Sequence, residues 1–329
     1  MSIEDKLNFK TLEWKNNYLR LIDQTLLPGK LDYFDCHETD DFVRAIKNLI
    51  VRGAPAIGCA AAYGIALAAK KRQDISRAAA QLRTARPTAV NLAWAVDRMM
   101  RLAGEDVNND PAILEREAIA IHEEDADMCR QIGKNGDKLI KDDFRVLTHC
   151  NAGALATGGI GTALAVIYTA KFGGKDISVW VDETRPLLQG ARLTAWELGR
   201  AGVPYTLICD NMAASLIGNG FVDCVITGAD RIAANYDVAN KIGTYNLAIL
   251  CHYHKIPFYV AAPSSTFDFE CPNGKSIIIE NRASREITSI DGQPIAPKGV
   301  NVFNPAFDIT PHELISAIIS EKETIRPQE

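Results

Sequence analysis

Beyond Lys138 the chain repeats one pattern: a short apolar run, a glycine-bearing turn and a helical stretch, at 144–148, 161–172, 177–181, 189–201, 205–208, 212–217, 222–227, 240–254 and 257–261. Strands that alternate with helices pair in parallel, because each helix carries the chain back to the same edge of the sheet. The pattern predicts an α/β chain whose residues 138–329 form a Rossmann-like, doubly wound parallel sheet. Ligands of such sheets bind beyond the carboxyl ends of the strands, so residues just after each apolar run are the ones to read for chemistry.

The first 137 residues follow a different rhythm. Residues 12–26 alternate apolar and polar side chains around Asn16-Asn17, which predicts a small hairpin. From 40 to about 136 the apolar spacing is helical, in segments 41–51, 54–70, 91–102 and 112–133. Pro87-Thr88 interrupts that run, with Thr88 or Asn91 available to cap the next helix. Residues 1–137 are therefore expected to be a helical domain with a small sheet. Residues 54–69 are alanine-rich but only sixteen long, short of the twenty or so that span a bilayer, and are expected to be a buried helix. After Pro263 come some forty residues rich in Pro, Asn, Gly and Ser. Thr310-Pro311-His312-Glu313 then has the form of a helix start with proline at its first position, which predicts a closing helix.

Composition narrows the partners. A net charge of −5 argues against a nucleic-acid or anionic-membrane surface, since both call for a basic face. Eight cysteines at 36, 59, 129, 150, 209, 224, 251 and 271 lack any CxxC pair, and several lie in apolar runs, as Ile208-Cys209 and Cys224-Val225 do. They are expected to be reduced core residues of a cytosolic, cytoplasmic protein. Residues 1–10 are charged and hold no apolar leader segment. The expected partner is a small molecule.

Four places carry chemistry. The run 221–227 ends at Gly228, so Asp230 is delivered to the sheet edge, and Asn235, Asn240 and Lys241 follow closely enough to put a carboxylate, two amides and a lysine on one turn. Cys150 follows Val146-Leu147-Thr148 and precedes Asn151-Ala152-Gly153, which puts its thiol at another strand's carboxyl edge, near a helix start. A thiol and a carboxylate from two strands of one sheet can meet over one crevice as an acid and base pair. Arg52-Gly53-Ala54-Pro55 joins a guanidinium, a flexible turn and a helix start, a combination that holds phosphate. Arg86 supplies a second such cation and Lys241 a third. Gly158-Gly159-Ile160-Gly161 invites a dinucleotide reading with Asp182-Glu183 as the ribose acid, but Leu164 stands where the third glycine belongs, and a nicotinamide cofactor is rejected. Cys251-His252-Tyr253-His254 lacks a second ligand pair at zinc spacing, which favours surface histidines. His149 stays unassigned, because neighbours on a strand point to opposite faces.

Read together, Arg52-Gly53-Ala54-Pro55-Ala56-Ile57-Gly58, Arg86-Pro87-Thr88-Ala89-Val90-Asn91-Leu92, His149-Cys150-Asn151-Ala152-Gly153, Asp182-Glu183-Thr184-Arg185-Pro186 through Gln189-Gly190, and Gly228-Ala229-Asp230-Arg231-Ile232 resemble the methylthioribose-1-phosphate isomerases. Leu12-Glu13-Trp14, Leu21-Ile22-Asp23-Gln24-Thr25 and the closing Asn304-Pro305-Ala306-Phe307-Asp308 extend the resemblance over nearly the whole chain. It implies a cytosolic aldose–ketose isomerase of methionine salvage, a homodimer that uses no cofactor. Carried over by position, it implies Asp230 as proton donor, Cys150 as its partner, and Arg52, Gly53, Ala54, Arg86, Gln189, Asn240 and Lys241 as substrate-binding residues. The one departure is Tyr236, where the family commonly has glycine, so the shape of that loop is left open. Two related readings stand beside it. Isomerases of 5-deoxyribose 1-phosphate or ribose 1,5-bisphosphate share the chemistry. The regulatory subunits of the eukaryotic initiation exchange factor share the fold as binding proteins and lack counterparts of Cys150 and Asp230.

Overall fold

The computed structural model describes residues 2–86, 89–104 and 111–328. After a short helix, α1 (Ile3–Leu7), the strands β1 (Leu12–Trp14), β2 (Leu19–Ile22) and β3 (Tyr33–Cys36) form an antiparallel meander. The first turn is where the sequence put it, with Asn16 at φ 62°. Then come α2 (Thr39–Lys47), α3 (Ala54–Lys70), α4 (Ile75–Arg83), α5 (Val90–Gly104) and α6 (Pro111–Asp137). Small side chains let α3 run through the middle of this group with residues 56–69 all buried, packed on α5 and α6. A Cβ on Gly58 would stand 3.0 Å from the Asn91 carbonyl, which shows how near the helices lie. α4 was not legible as a helix; Asp74 caps it by accepting from the Arg77 amide at 3.0 Å. Asn91 lies inside α5 and donates to Ser265 Oγ at 3.0 Å instead of capping, while Pro87 and Thr88 lie outside the described residues.

The alternating half supplies β4 (Arg145–Thr148), α7 (Ala163–Phe172), β5 (Ser178–Asp182), α8 (Ala195–Ala201), β6 (Tyr205–Ile208), α9 (Ala213–Gly218), β7 (Cys224–Thr227), β8 (Arg231–Ala233), β9 (Val238–Lys241), α10 (Thr244–His254) and β10 (Phe258–Ala261). It continues through β11 (Phe267–Asp268), α11 (Arg285–Thr288), β12 (Ser289–Ile290), β13 (Gln293–Pro294), β14 (Phe307–Thr310), β15 (Ala317–Ile319) and β16 (Thr324–Ile325). The main sheet has the order β16-β15-β10-β7-β4-β5-β6 and is parallel apart from the β15–β16 pair. Its strands are apolar on both faces because both faces are covered. Val146 joins the cluster under α7, whereas Leu147, next in β4, joins the opposite cluster with Leu247 and Phe258. Burying one such leucine contributes about 1.5–3 kcal/mol.

Three expectations need correction. The closing helix is absent: Thr310 ends β14, residues 312–314 make a single 3-10 turn, and the chain then enters β15. Ile318 and Ile319 are fully buried there, and β-branched side chains covered on both faces favour a strand over the capping signal before them. The helix expected over 240–254 begins at Thr244, because Val238–Lys241 forms β9 in a second sheet of order β11-β8-β9-β14. Of the eight free cysteines six are buried, but Cys150 is half-buried and Cys209 is exposed just beyond edge strand β6.

Candidate active site

Gly228 and Ala229 lead from β7 to Asp230, whose amide donates to the Ala239 carbonyl at 2.9 Å. β8 and β9 then pair antiparallel, with Arg231 opposite Ala239 and Ile232 opposite Val238. Asp230 and the Asn240-Lys241 pair thus meet across a hairpin and not, as the sequence suggested, on a single turn. Tyr236 closes the hairpin at φ 69°, its amide donating to the Ala233 carbonyl at 2.9 Å and its ring edge-on to Phe267 at 6.5 Å. The aromatic packing holds the left-handed backbone that glycine would take freely, which answers the question the sequence left open at this loop.

Cys150 sits at the end of β4 with φ 63°. The helix start expected beside it is not there: one 3-10 turn (Ala154–Ala156) intervenes, and α7 begins only at Ala163. The glycines between them serve packing, since a Cβ on Gly159 would come within 2.7 Å of Ala126 Cα and one on Gly161 within 2.5 Å of Gly153 Cα. Gly53, at φ 92°, is needed for the same reason: its Cβ would stand 2.4 Å from the Ala156 carbonyl oxygen.

Arg52, Gly53, Ala54, Arg86, Cys150, Gln189, Asp230, Asn240 and Lys241 line one cavity at the carboxyl edge of the main sheet, whereas Asn235, singled out with them, does not: its Oδ1 accepts from the Asp237 amide at 3.2 Å. Four cations face it among the described residues, Arg52, Arg86, Lys241 and Arg282, against the single carboxylate of Asp230. That surplus suits an anion. Arg52 is buried and aimed by its neighbours: Nη2 donates to the Asn151 carbonyl at 2.7 Å and to Asn151 Oδ1 at 2.9 Å, while Nε has no partner. Gln189 Oε1 is likewise buried and unpartnered. Burial raises the pKa of Asp230 above the usual carboxylate range, and Lys241, Arg86 and Arg52 oppose the shift without cancelling it. Burial also lowers the pKa of Lys241, against the opposing pull of the Asp230 carboxyl group. Lys241 Nζ rests 5.0 Å from the centre of the Phe307 ring.

Arg282 was not read from the sequence, and Phe307 was read only as part of the closing motif, not as a cavity residue. Both come from the glycine- and proline-rich stretch after β10, where no strand–turn–helix rhythm marks an edge position. Arg282 pairs with Glu286 at 2.8 Å and Glu280 at 3.2 Å, and Glu280 also lies 3.9 Å from Arg86, so this stretch brings a charged cluster to the cavity wall. The buried carboxylate of Glu197 was missed too. It accepts from Asn151 Nδ2 at 2.8 Å and from the amides of Ala154 at 2.8 Å and Leu155 at 3.1 Å, and burial raises its pKa. Its link to Asn151 fixes the group that aims Arg52.

His149 finds its place here. Its ring is 1% exposed, between Asp182 Oδ2 at 3.0 Å and the Ile242 carbonyl at 2.8 Å. A carbonyl only accepts, so Nε2 carries hydrogen. Burial works against charge on this ring, but Asp182 outweighs it and raises the pKa. With both nitrogens engaged, His149 is a brace between the ends of β4 and β9, next to Cys150 and Lys241. His149, Asp182 and Asp210 lie near enough to share a cation, yet Asp210 already accepts from the Thr184 and Arg185 amides at 2.7 Å each, leaving Asp182 Oδ1 as the one unpartnered donor atom. That set does not amount to a metal site. His252 and His254 are exposed at the end of α10, as the sequence suggested.

Residues 50–327 match the model of the Initiation factor 2 subunit family. A methylthioribose-1-phosphate isomerase of Geotalea uraniireducens is 52% identical over 334 residues, covering 97% of this chain and 96% of that protein. A 5-deoxyribose 1-phosphate isomerase of Moorella thermoacetica is 52% identical over 329 residues, covering 96% and 94%. Among solved structures, 5-methylthioribose 1-phosphate isomerase from Pyrococcus horikoshii OT3 is 42% identical with a TM-score of 0.92, covering 99% of this chain and 96% of that one. Subunit delta of translation initiation factor eIF-2B from A. fulgidus is 45% identical with a TM-score of 0.85, covering 97% and 96%.

Proposed function

The chain belongs to the Initiation factor 2 subunit family and, within it, to the methylthioribose-1-phosphate isomerases, and from that premise we propose how its cavity isomerises 5-methylthioribose 1-phosphate to 5-methylthioribulose 1-phosphate in methionine salvage. The observation that carries the mechanism is the cavity's charge: four cations around one carboxylate whose pKa burial raises. An anionic sugar needs the first and an acid-catalysed ring opening needs the second. Aldose and ketose stand at the same oxidation level, so the reaction calls for no external redox cofactor.

The 1-phosphate blocks the ordinary route through a free aldehyde, because C1 already bears the phosphate oxygen. Opening the ring then requires a proton on the ring oxygen while positive charge builds at C1. Asp230 is the donor in this reading, and burial, which raises its pKa, favours the acid form that role requires. Cys150, from the neighbouring strand, faces the same cavity as its partner. Arg52 with the Gly53-Ala54 helix start, Arg86, Gln189 and Asn240-Lys241 bind the phosphate and the sugar hydroxyls. Lys241→Ala and Arg52→Ala should each raise KM by about 10- to 100-fold with kcat little changed, the cost of one charged hydrogen bond made equally in ground and transition states. A pure loss of kcat in steady-state kinetics contradicts that role.

Ketose formation from 5-methylthioribose 1-phosphate by the purified protein, without added metal or nucleotide, tests the activity. Ligand binding without turnover would favour a regulatory subunit. The likeness to the Moorella 5-deoxyribose 1-phosphate isomerase motivates a second substrate, 5-deoxyribose 1-phosphate. A chamber beside the cavity has a mixed lining, in which Leu187, Leu188, Leu193 and Ile290 offer the 5-substituent apolar surface among polar groups such as Arg192, Glu286 and Asp291, and losing a thiomethyl there changes binding by only about 1–3 kcal/mol.

A cytoplasmic homodimer completes the proposal. The eight free cysteines suit a reducing compartment, and no described helix is long and apolar enough to cross a membrane. α10 turns Tyr245, Ile249 and Tyr253 outward at i, i+4 and i+8, an apolar stripe that a second copy would cover. Tyr253, 78% exposed, is the residue to change: Tyr253→Asp should shift the protein from dimer to monomer in sedimentation. A wild-type monomer refutes the assembly.

A further inference from the structure

Cys150 is a non-glycine residue held in a left-handed conformation at φ 63°, and L-residues bearing a Cβ take that conformation only where their surroundings impose it. Two hydroxyls impose it. On one side the Cys150 amide donates to Thr184 Oγ1 at 2.8 Å, and that hydroxyl in turn donates to the Asp182 carbonyl at 3.0 Å. On the other side Thr194 Oγ1 donates to the Cys150 carbonyl at 2.6 Å and accepts from Asn151 Nδ2 at 3.1 Å. Both threonines are 0% exposed, and neither lines the cavity.

The two hydroxyls are themselves fixed. Thr184 also has left-handed backbone, φ 66°, and Asp210 holds it by accepting from its amide and from the next one. Thr194 lies in a stretch of π-helix (Gly190–Thr194) at the start of α8, an irregularity that widens the turn and is found most often where a side chain must be aimed. Gly190, at the head of that stretch, has room for no Cβ: one would lie 1.7 Å from the Asp182 carbonyl oxygen. The start of this helix is therefore pressed onto the end of β5, which brings Thr194 within reach of Cys150.

We propose that Thr184 and Thr194 are positioning residues that clamp the Cys150 peptide from both sides and so aim its thiol into the cavity. The inference rests on the reading above in which Cys150 takes part in the isomerisation. Each hydroxyl donates one hydrogen bond and accepts another, so valine, nearly the same shape, removes both bonds and leaves a Cys150 amide or carbonyl unpaired. Serine keeps the hydroxyl.

The test compares Thr184→Val, Thr194→Val, Thr184→Ser and Thr194→Ser by kcat, KM and the rate at which iodoacetamide alkylates Cys150, read by peptide mass against the exposed Cys209 as internal standard. Each valine variant should lose about 10- to 100-fold in kcat with KM nearly unchanged, as expected for a misplaced reacting group, and its Cys150:Cys209 alkylation ratio should change. Both serine variants should restore both quantities. Where a valine variant does not fold, the alanine variant, which leaves space for a water on the freed group, replaces it with the same expected outcomes. Unchanged kcat with an unchanged alkylation ratio overturns the proposal, and so does lost kcat with an unchanged ratio, because the effect then does not pass through Cys150. Cys150→Ala separates the two layers. If that variant keeps full activity, the catalytic role of Cys150 falls and the clamp is judged on alkylation alone; if it is inactive while the valine variants are normal, the clamp alone falls.

Discussion

Asp230→Asn lowers kcat by about 10²-fold or more while substrate binding stays near normal. Asparagine keeps the shape and one hydrogen bond but has no proton to give to the ring oxygen. The pH profile adds a second signature. Burial raises the pKa of Asp230, so its acid form persists to higher pH than that of an exposed aspartate, and kcat should fall as pH rises through that pKa. The Asn variant should lose this limb and keep the rest of the profile. The same shift acts on the fold: the native state binds this proton more tightly than the unfolded chain, so the contribution to stability is full at low pH and is lost as pH rises through the native pKa. Weakened binding with intact kcat would reassign Asp230 to positioning.

Nine of the residues that line the cavity were legible in the sequence, several of them because edge positions follow from the strand rhythm. Cys150 and Asp230 each come just past an apolar run, and Gly53 before Ala54-Pro55 marks a helix start. How these segments bend was not legible. The stretch from Asp230 to Lys241 carries turn-like residues at Asn235 and Asp237, and only its pairing with β14 and β11, which are distant in sequence, makes it a hairpin in a second sheet. The Thr310-Pro311-His312-Glu313 signal failed for a related reason. Local capping preference amounts to about 1 kcal/mol, whereas burying Ile318 and Ile319 between β10 and β16 outweighs it several times over.

The supporting groups were hidden for a different reason. Thr194 and Glu197 stand in a helical stretch with no motif of their own, Thr184 has no assigned role within the Asp182–Pro186 motif, and a buried polar residue in a sequence looks like an exposed one. What identifies them is accounting in three dimensions: each satisfies backbone or amide groups around Cys150, Asn151 and Ala154 that would otherwise be buried without partners. Arg282 escaped because its segment lacks periodicity altogether, and only its return to the cavity wall, paired with Glu280, gives it meaning.

The hydrogen that leaves C2 of the sugar should arrive at C1 without meeting solvent. Asp230 and Cys150 are both half-buried, Gln189, Asn240 and Lys241 are buried, and Ala152, Ala156 and Leu187 contribute apolar wall, so the reacting carbons face little water. Such a site favours a hydride shift from C2 to C1 once ring opening has left positive charge at C1, because no base need exchange with solvent. Deuterium placed at C2 should then be found almost wholly at C1 of the ketose, and reaction in D2O should add none there. An enolate route with the Cys150 thiol as shuttle predicts the reverse, since an accessible thiol exchanges faster than a typical turnover of about 10 s⁻¹. A thiol sealed from water would imitate the hydride result, and Cys150→Ser separates the cases: the hydride path survives in part, whereas an essential thiol base does not. Mass spectrometry of the product decides, and solvent deuterium at C1 ends the hydride route while leaving the isomerisation itself intact.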